Sequence, residues 1–317
     1  MAKIWFTDFW RPDDEIVEKF KFFDQNFLNT FGFTLDKDQP DLLVYSWHGN
    51  NHKNYNCKKL FFMPENARKT YEMNDRFRQD FNDILNSKNY DFLIANNTIP
   101  DDFFDKTRVL QNQSYFTRWG WDKACEKVFE RKLEKTPTKD ICMIYSTGLP
   151  ERYLFAQIIK QRFSTVGLYG PFVNNPIENI IKPKPGNVVA GWHCLETRLE
   201  IAGQYKFEVA IENSRAPGHV TEKLHEAYAS GCVPIYCGAR DLEKIGINPR
   251  AVIYCNDLSE ASINEVLDRV IEISKDEKKF NQIRNQPLYL ETKDPRKDWN
   301  DFFKMVHSSI SVELKEG

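Results

Sequence analysis

The chain of 317 residues has no stretch approaching the roughly 18 consecutive apolar residues that a membrane span requires. It also shows no secretory leader pattern. Met1-Ala2-Lys3 runs into Ile4-Trp5-Phe6-Thr7-Asp8-Phe9-Trp10, where Asp8 and then Arg11 interrupt a very short apolar run. The expectation is a cytoplasmic protein, or one at most peripheral to the membrane. Seven cysteines (Cys57, Cys125, Cys142, Cys194, Cys232, Cys237, Cys255) are scattered without a C-x-x-C pair. That spacing reads as reduced, mostly buried thiols and argues against a structural zinc site. Charge of one sign is lacking too. A formal net charge of −2 opposes a nucleic-acid-binding surface and leaves room for a local basic pocket. No G-x-G-x-x-G or Walker A string occurs, so dinucleotide and P-loop readings lose support. Repeats of solenoid period are absent as well.

What is present is apolar and aromatic material in quantity. Hydrophobic residues make up 41% and aromatics 14%, which excludes disorder and suits two ordinary domains. Residues 3–9, 41–46, 59–63 and 90–95 read as short buried strands, with a predicted helix over 14–31 carrying Ile16, Phe20, Phe23, Phe27 and Leu28. Strands alternating with helices predict parallel sheets covered on both faces. A polar stretch, residues 134–140, is the best linker, and the alternation restarts at Ile141 with a helix from Pro150 to Phe163. The expected architecture is α/β, with domains over 1–138 and 139–295. A C-terminal segment, 296–317, has Phe302, Phe303, Val306 and Ile310 at helical spacing. Basic flanks, which a membrane-surface helix would need, are sparse there, so it is expected to pack back on the body.

Residues 205–238 (YKFEVAIENSRAPGHVTEKLHEAYASGCVPIYCG) concentrate the chemistry. Tyr205 to Ile211 predicts a strand, and Ser214 to Gly218 a loop. Thr221 is a candidate N-cap, Gly231 a C′ residue, and Val233 to Cys237 the next strand. This is a βαβ crossover whose loop lies at the carboxyl end of a strand, where ligands of open α/β sheets bind. The helix N-terminus suits a diphosphate, Lys223 adds a point charge, and Glu222 can accept bonds from ribose hydroxyls. Spacing alone also fits Glu222 and Lys223 as ordinary solvated first-turn residues. It reaches a phosphate-bearing ligand and names no sugar.

The segment resembles the signature of the α1,3/α1,4-fucosyltransferase family, glycosyltransferase family 10. The resemblance is carried by Tyr205-Lys206-Phe207, Ile211-Glu212-Asn213-Ser214, His219-Val220-Thr221-Glu222-Lys223 and Gly231-Cys232-Val233-Pro234-Ile235-Tyr236-Cys237-Gly238. Upstream, Tyr145-Ser146-Thr147-Gly148-Leu149-Pro150-Glu151-Arg152 looks like the start of the family's donor domain, and Arg152 matches an arginine on the donor pyrophosphate. Phe61-Phe62-Met63-Pro64-Glu65-Asn66 looks like a strand end followed by G-E-N, with Pro64 for the glycine and Glu65 matching the general base. His219 stands where the family has tyrosine, and Ile211 where it has phenylalanine. The likeness covers about residues 141–258 well and is thin over 1–135.

The resemblance implies two Rossmann-like domains facing across a cleft, the GT-B arrangement, and an inverting transfer of fucose from GDP-fucose. GDP-fucose would be a co-substrate, with no obligatory cofactor or metal. The D-x-D string Asp36-Lys37-Asp38 lies in a polar turn before Pro40, which disfavours a metal-dependent GT-A enzyme. The implied donor set is Tyr145, Ser146, Arg152, Glu212, Asn213, Ser214, His219, Val220, Thr221, Glu222 and Lys223. The acceptor is expected to be an N-acetylglucosamine-containing glycan. Sugar rings need aromatic platforms, which points to Trp10, Trp47 and His48, with Asn50, Trp119 and Trp121 as further candidates. A transferase with another nucleotide-sugar donor and a non-catalytic glycan-binding relative are the alternatives.

Overall fold

The computed structural model describes residues 1–64, 89–96, 108–111, 118–133, 136–145, 148–169 and 195–316. Its strands are β1 (Ala2–Thr7), β2 (Phe33–Leu35), β3 (Leu42–Tyr45), β4 (Lys58–Met63), β5 (Phe92–Ala95) and β6 (Val109–Gln111), then β7 (Lys139–Ile144), β8 (Val166–Tyr169), β9 (Tyr205–Ile211), β10 (Val233–Cys237) and β11 (Ile253–Tyr254). The described helices are α1 (Ile16–Lys19), α2 (Gln25–Phe31), α3 (Trp121–Phe129), α4 (Pro150–Arg162), α5 (Leu195–Ala202), α6 (Glu222–Ala229), α7 (Glu260–Lys275), α8 (Glu277–Arg284) and α9 (Pro295–Glu316). They order into two sheets, β2-β1-β3-β4-β5-β6 and β11-β10-β9-β7-β8. Every pairing in both is parallel. The expected α/β class, with two Rossmann-like sheets, is what the chain forms. Among the described residues no helix is long and apolar enough to cross a membrane.

Two compact units result. The first comprises residues 1–125, 216–220 and 294–317, the second 126–215 and 221–293. The division falls inside α3, ahead of the polar stretch at 134–140.

The single helix expected over 14–31 is not formed. A 3-10 turn, α1, a second 3-10 turn and α2 replace it. Phe20, Phe22 and Phe23 are all buried, and residues two apart on an α-helix cannot share a face. The chain breaks so that all three rings turn inward. Asp24 then restarts it as an N-cap, its carboxylate accepting the Phe27 N–H at 3.0 Å. Phe23 lies 5.2 Å from Phe6 and 5.1 Å from Phe62, ring centre to ring centre.

α9 completes the first unit. Trp299, Phe302, Phe303, Val306 and Ile310 are all buried. Phe303 packs edge-on to Phe27 at 4.8 Å, and Trp299 stacks with Trp121 at 6.0 Å. Trp121, half-buried, lends one face of its ring to this packing. Trp119, 8% exposed, is buried.

In the second unit β9 divides its side chains between two environments, as a central strand must. Phe207, Val209 and Ile211 enter an apolar core with Phe155 and Ile159 of α4 and Leu267 of α7. Glu208 and Glu212 take the other face, which bears on α6. α6 begins at Thr221 and ends in Gly231, whose φ of +88° is the left-handed C′ conformation expected of that glycine.

Candidate active site

Glu212, at the carboxyl end of β9, organises the loop 213–221. Its side chain is buried, and its two oxygens accept from the Thr221 backbone N–H at 2.8 Å and the Thr221 hydroxyl at 2.5 Å. The Tyr236 hydroxyl donates to the same carboxylate at 3.5 Å. Gly238 is a required close approach: a Cβ there would lie 2.6 Å from Glu212 Cγ and 2.1 Å from the Tyr236 hydroxyl. Burial raises the Glu212 pKa, and Lys223 and the Thr221 bonds act against that rise. Glu212 was expected to bind the sugar-nucleotide. In the structure its oxygens are committed to Thr221, so it shapes the helix start.

Lys223 sits directly over this node. Its Nζ is 3.1 Å from the Thr221 hydroxyl, 3.1 Å from Glu222 Oε1 and 3.6 Å from Glu212 Oε2. Burial would lower its pKa, but the Glu222 and Glu212 carboxylates raise it above the ordinary value. The ammonium is thus charged at neutral pH. Thr221 is the N-cap, its hydroxyl accepting the Lys223 N–H at 3.4 Å. The positive end of α6 and a fixed ammonium therefore coincide, which is the chemistry of an anion site.

α4 brings the second cation. Arg152, 1% exposed, donates to the Ile211 carbonyl at 2.8 Å and to Asn213 Oδ1 at 2.7 Å. Its guanidinium carbon lies 4.0 Å above the Tyr145 ring. The Tyr145 hydroxyl donates to Val209 O and accepts from Ile211 N–H, both at 2.6 Å. Tyr145 thus spends its hydroxyl on β9 and supports Arg152 rather than offering itself to a ligand. Asn213 is exposed and Ser214 half-buried.

His219 and Val220 pack with the first unit. Asn96, fully buried at the end of β5, donates through Nδ2 to the Val220 carbonyl at 2.9 Å and lies 3.5 Å from His219 Nδ1. Asn96 gave no sequence signal, because its partners lie 123 and 124 residues away. His225 was missed for another reason, being one polar residue on an otherwise packed helix. Its ring nitrogens meet the Thr221 carbonyl at 2.9 Å and the Tyr289 hydroxyl at 2.7 Å, and burial lowers its pKa. Arg198 of α5 ties the far end of the same helix, pairing with Glu208 and, at 2.8 Å, with Glu226. Glu208 and Glu212, four apart on one strand face, thus secure both ends of α6.

Metal ligands come together at one place among the described residues. Cys142, Glu208 and Cys232 offer atoms within 4.8 Å of one another, all buried. Glu208 is already paired with Arg198, and the Cys232 thiol donates to the Ala202 and Tyr205 carbonyls at 3.1 and 3.2 Å. The group serves the packing of α5 and α6.

Of the expected acceptor residues, Trp10 is 43% exposed and meets the His48 ring edge-on at 5.6 Å. Trp47 is buried in a core cluster with Tyr45, Phe61 and Met63, and its indole N–H donates to His48 Nε2 at 2.7 Å. Trp47 therefore backs His48 instead of forming a platform itself. Glu65 and Ser146 lie outside the described residues.

Comparison with known proteins fits this arrangement. The family model described as "Glycosyltransferase family 10 (fucosyltransferase) C-term" matches residues 150–293. That described as "Alpha-(1,3)-fucosyltransferase FucT N-terminal domain" matches residues 4–97. The chain belongs to glycosyltransferase family 10. An Arabidopsis thaliana α-(1,4)-fucosyltransferase is 49% identical over 71 residues, 21% of this chain and 16% of that protein. The Helicobacter pylori α-(1,3)-fucosyltransferase FucT is 33% identical over 76 residues, 24% of this chain and 15% of that protein. The matched stretches span between 15% and 25% of the length of the curated relatives. A crystal structure of an α1,3-fucosyltransferase aligns with TM-score 0.63 at 19% identity, covering 97% of this chain and 90% of that one. That likeness fixes the fold as the two-sheet GT-B type. The N-terminal match also corrects the expectation that family likeness is thin over the first half.

Proposed function

We propose that this chain is an inverting fucosyltransferase that moves L-fucose from GDP-fucose to a hydroxyl of an N-acetylglucosamine-containing glycan, in α1,3 linkage. The observation that carries the reading is the Thr221–Lys223 node, a helix N-terminus held by Glu212 and crowned by a charged lysine. Crystal structures of similar fold, described as α1,3-fucosyltransferase with GDP and with GDP-fucose, support a guanosine diphosphate as the ligand of this node. As the bond from the anomeric carbon to the β-phosphate oxygen breaks, charge develops on that phosphate. Lys223, Arg152 and the α6 N-terminus are the groups that stabilise it, and they need no obligatory metal. Asn213, Ser214, His219, Val220 and Glu222 complete the donor site in this reading.

In the same reading Glu65 removes the proton from the acceptor hydroxyl as its oxygen bonds to the anomeric carbon. Trp10 and His48, backed by Trp47, receive the glycan. Cys237 ends β10 and Cys255 directly follows β11, both as buried free thiols, which fits a reducing compartment such as the cytoplasm.

Incubation with GDP-fucose and a panel of N-acetylglucosamine-containing oligosaccharides, followed by linkage mapping, tests the proposal. An α1,3-fucosyl product is expected, with GDP-mannose and UDP-sugars inactive. Equal turnover of the other donors overturns the donor assignment. Glycan binding without transfer points to a non-catalytic relative.

A further inference from the structure

Asp8 has φ of +60°, the one non-glycine residue with positive φ among the described residues. Left-handed backbone at such a residue persists when its surroundings over-determine it, and it concentrates at functional places. The surroundings here are specific. Asp8 is 4% exposed, and its carboxylate accepts the backbone N–H of Asn51 at 2.9 Å and of His52 at 2.9 Å. The same carboxylate meets His52 Nδ1 at 2.6 Å, and the His52 ring stacks on Tyr45 at 4.4 Å. The backbone carbonyl of Asp8 accepts the His48 N–H at 2.9 Å. Gly49 lets the turn close over the carboxylate, since a Cβ there would lie 2.3 Å from Asp8 Oδ1.

Every one of these contacts falls on residues 45–52, the turn leaving β3, and that turn carries Trp47 and His48. The indole N–H of Trp47 can only donate, so His48 Nε2 accepts and the neutral ring keeps its proton on Nδ1. Desolvation lowers the His48 pKa, which favours that neutral form. Trp10, two residues after Asp8, closes the edge of the same group. The residue that fixes the turn therefore also sets where Trp10 leaves β1.

We infer that Asp8 is the positioning residue of the acceptor site. It touches no sugar, and it holds the 45–52 turn so that His48 and Trp10 present one preformed face to a pyranoside acceptor. This rests on the fucosyltransferase reading above.

The test compares wild type with Asp8→Gly and Asp8→Asn. Glycine keeps the left-handed backbone and removes every side-chain bond; asparagine tolerates the backbone and keeps one oxygen. KM is measured separately for GDP-fucose and N-acetyllactosamine, with N-acetyllactosamine binding followed by calorimetry. Asp8→Gly is expected to raise the acceptor KM and dissociation constant about tenfold while the GDP-fucose KM stays within about twofold. Asp8→Asn is expected to recover part of that loss. Acceptor and GDP-fucose KM rising together, or neither moving, overturns the inference. Should Asp8→Gly fail to fold, the same split in Asp8→Asn decides. Wild type that binds no N-acetyllactosamine overturns the acceptor reading and this inference together, whereas tight binding unaffected by Asp8→Gly overturns this inference alone.

Discussion

Each unit has a buried carboxylate at the carboxyl end of a parallel strand, and the two are built alike. Asp8 follows β1 and accepts two backbone N–H groups plus a histidine nitrogen. Glu212 follows β9 and accepts one backbone N–H plus a threonine hydroxyl. A glycine, Gly49 or Gly238, closes over each. What differs is the company each keeps. Above Glu212 lie a helix N-terminus and Lys223; beside Asp8 lie Trp10, Trp47 and His48. One device, a carboxylate that satisfies the backbone of a returning loop, thus underlies both the face that the proposed function gives to phosphate and the face it gives to sugar.

The comparison is broken most severely by removing the chemistry it is thought to serve. Glu65→Gln keeps the shape of the side chain and deletes the base. It is expected to lower kcat roughly 10²- to 10⁴-fold with GDP-fucose binding retained, measured by radiolabel transfer and by calorimetry. Parallel losses of binding and turnover would show that residue 65 serves structure instead. Lys223→Ala attacks the other face. Loss of the one ammonium over the α6 N-terminus should cost roughly 10²-fold in kcat/KM, with the acceptor KM unchanged. A rise confined to the acceptor KM would reverse the assignment of the two faces.

How far these faces were legible beforehand differs between them. The loop from Glu212 to Lys223 is nine residues from carboxylate to N-cap, so strand, loop, cap and helix all appear in consecutive sequence. Asp8 reaches Asn51 and His52 over 43 and 44 residues, and nothing local to Ile4-Trp5-Phe6-Thr7-Asp8 signals that reach. The helix predicted over 14–31 fails for a related reason. Apolar spacing there matches a helical face, but Phe22 is apolar and buried as well, and only tertiary packing from Phe62 and Trp299 decides which rings turn inward. Glu208 was not singled out in the sequence, since its partner Arg198 could not be named from spacing. The family signature reached the Glu212–Lys223 loop early because that loop is the one encoded locally.

Acidity acts more gently, and on the second unit. His225 is buried beneath the α6 start, with a pKa lowered below its ordinary 6.5. The unfolded chain therefore binds more protons near and below that pH than the folded one, so His225 removes stability as pH falls. Glu208 and Glu212 act oppositely, since burial raises their pKa above the ordinary 4.5 and their contribution declines as pH rises through that raised value. Between about pH 7.5 and about pH 5.5 the urea midpoint of wild type should fall relative to that of His225→Gln. A gap between the two that does not change with pH would exclude His225 as the source.

The smallest effect tests the point where the two supports come nearest in sequence. Residues 216–220 pack with the first unit although Glu212 and Thr221 belong to the second, so Asn96 holds the peptide immediately before the N-cap. Asn96→Ala deletes the bond to the Val220 carbonyl and leaves that carbonyl without its partner, a loss of about 1 kcal/mol. Part of the usual penalty is absent, because the Asn96 Oδ1 is itself buried without a hydrogen-bond partner and leaves with the side chain. The expected outcome is a GDP-fucose KM raised about fivefold and a kcat within about twofold. Asp8→Gly should shift the acceptor KM instead, and a double variant should show the two losses adding if the faces are independent. An Asn96→Ala change that raised the acceptor KM alone would place the 216–220 segment with the sugar face, and His219 with it.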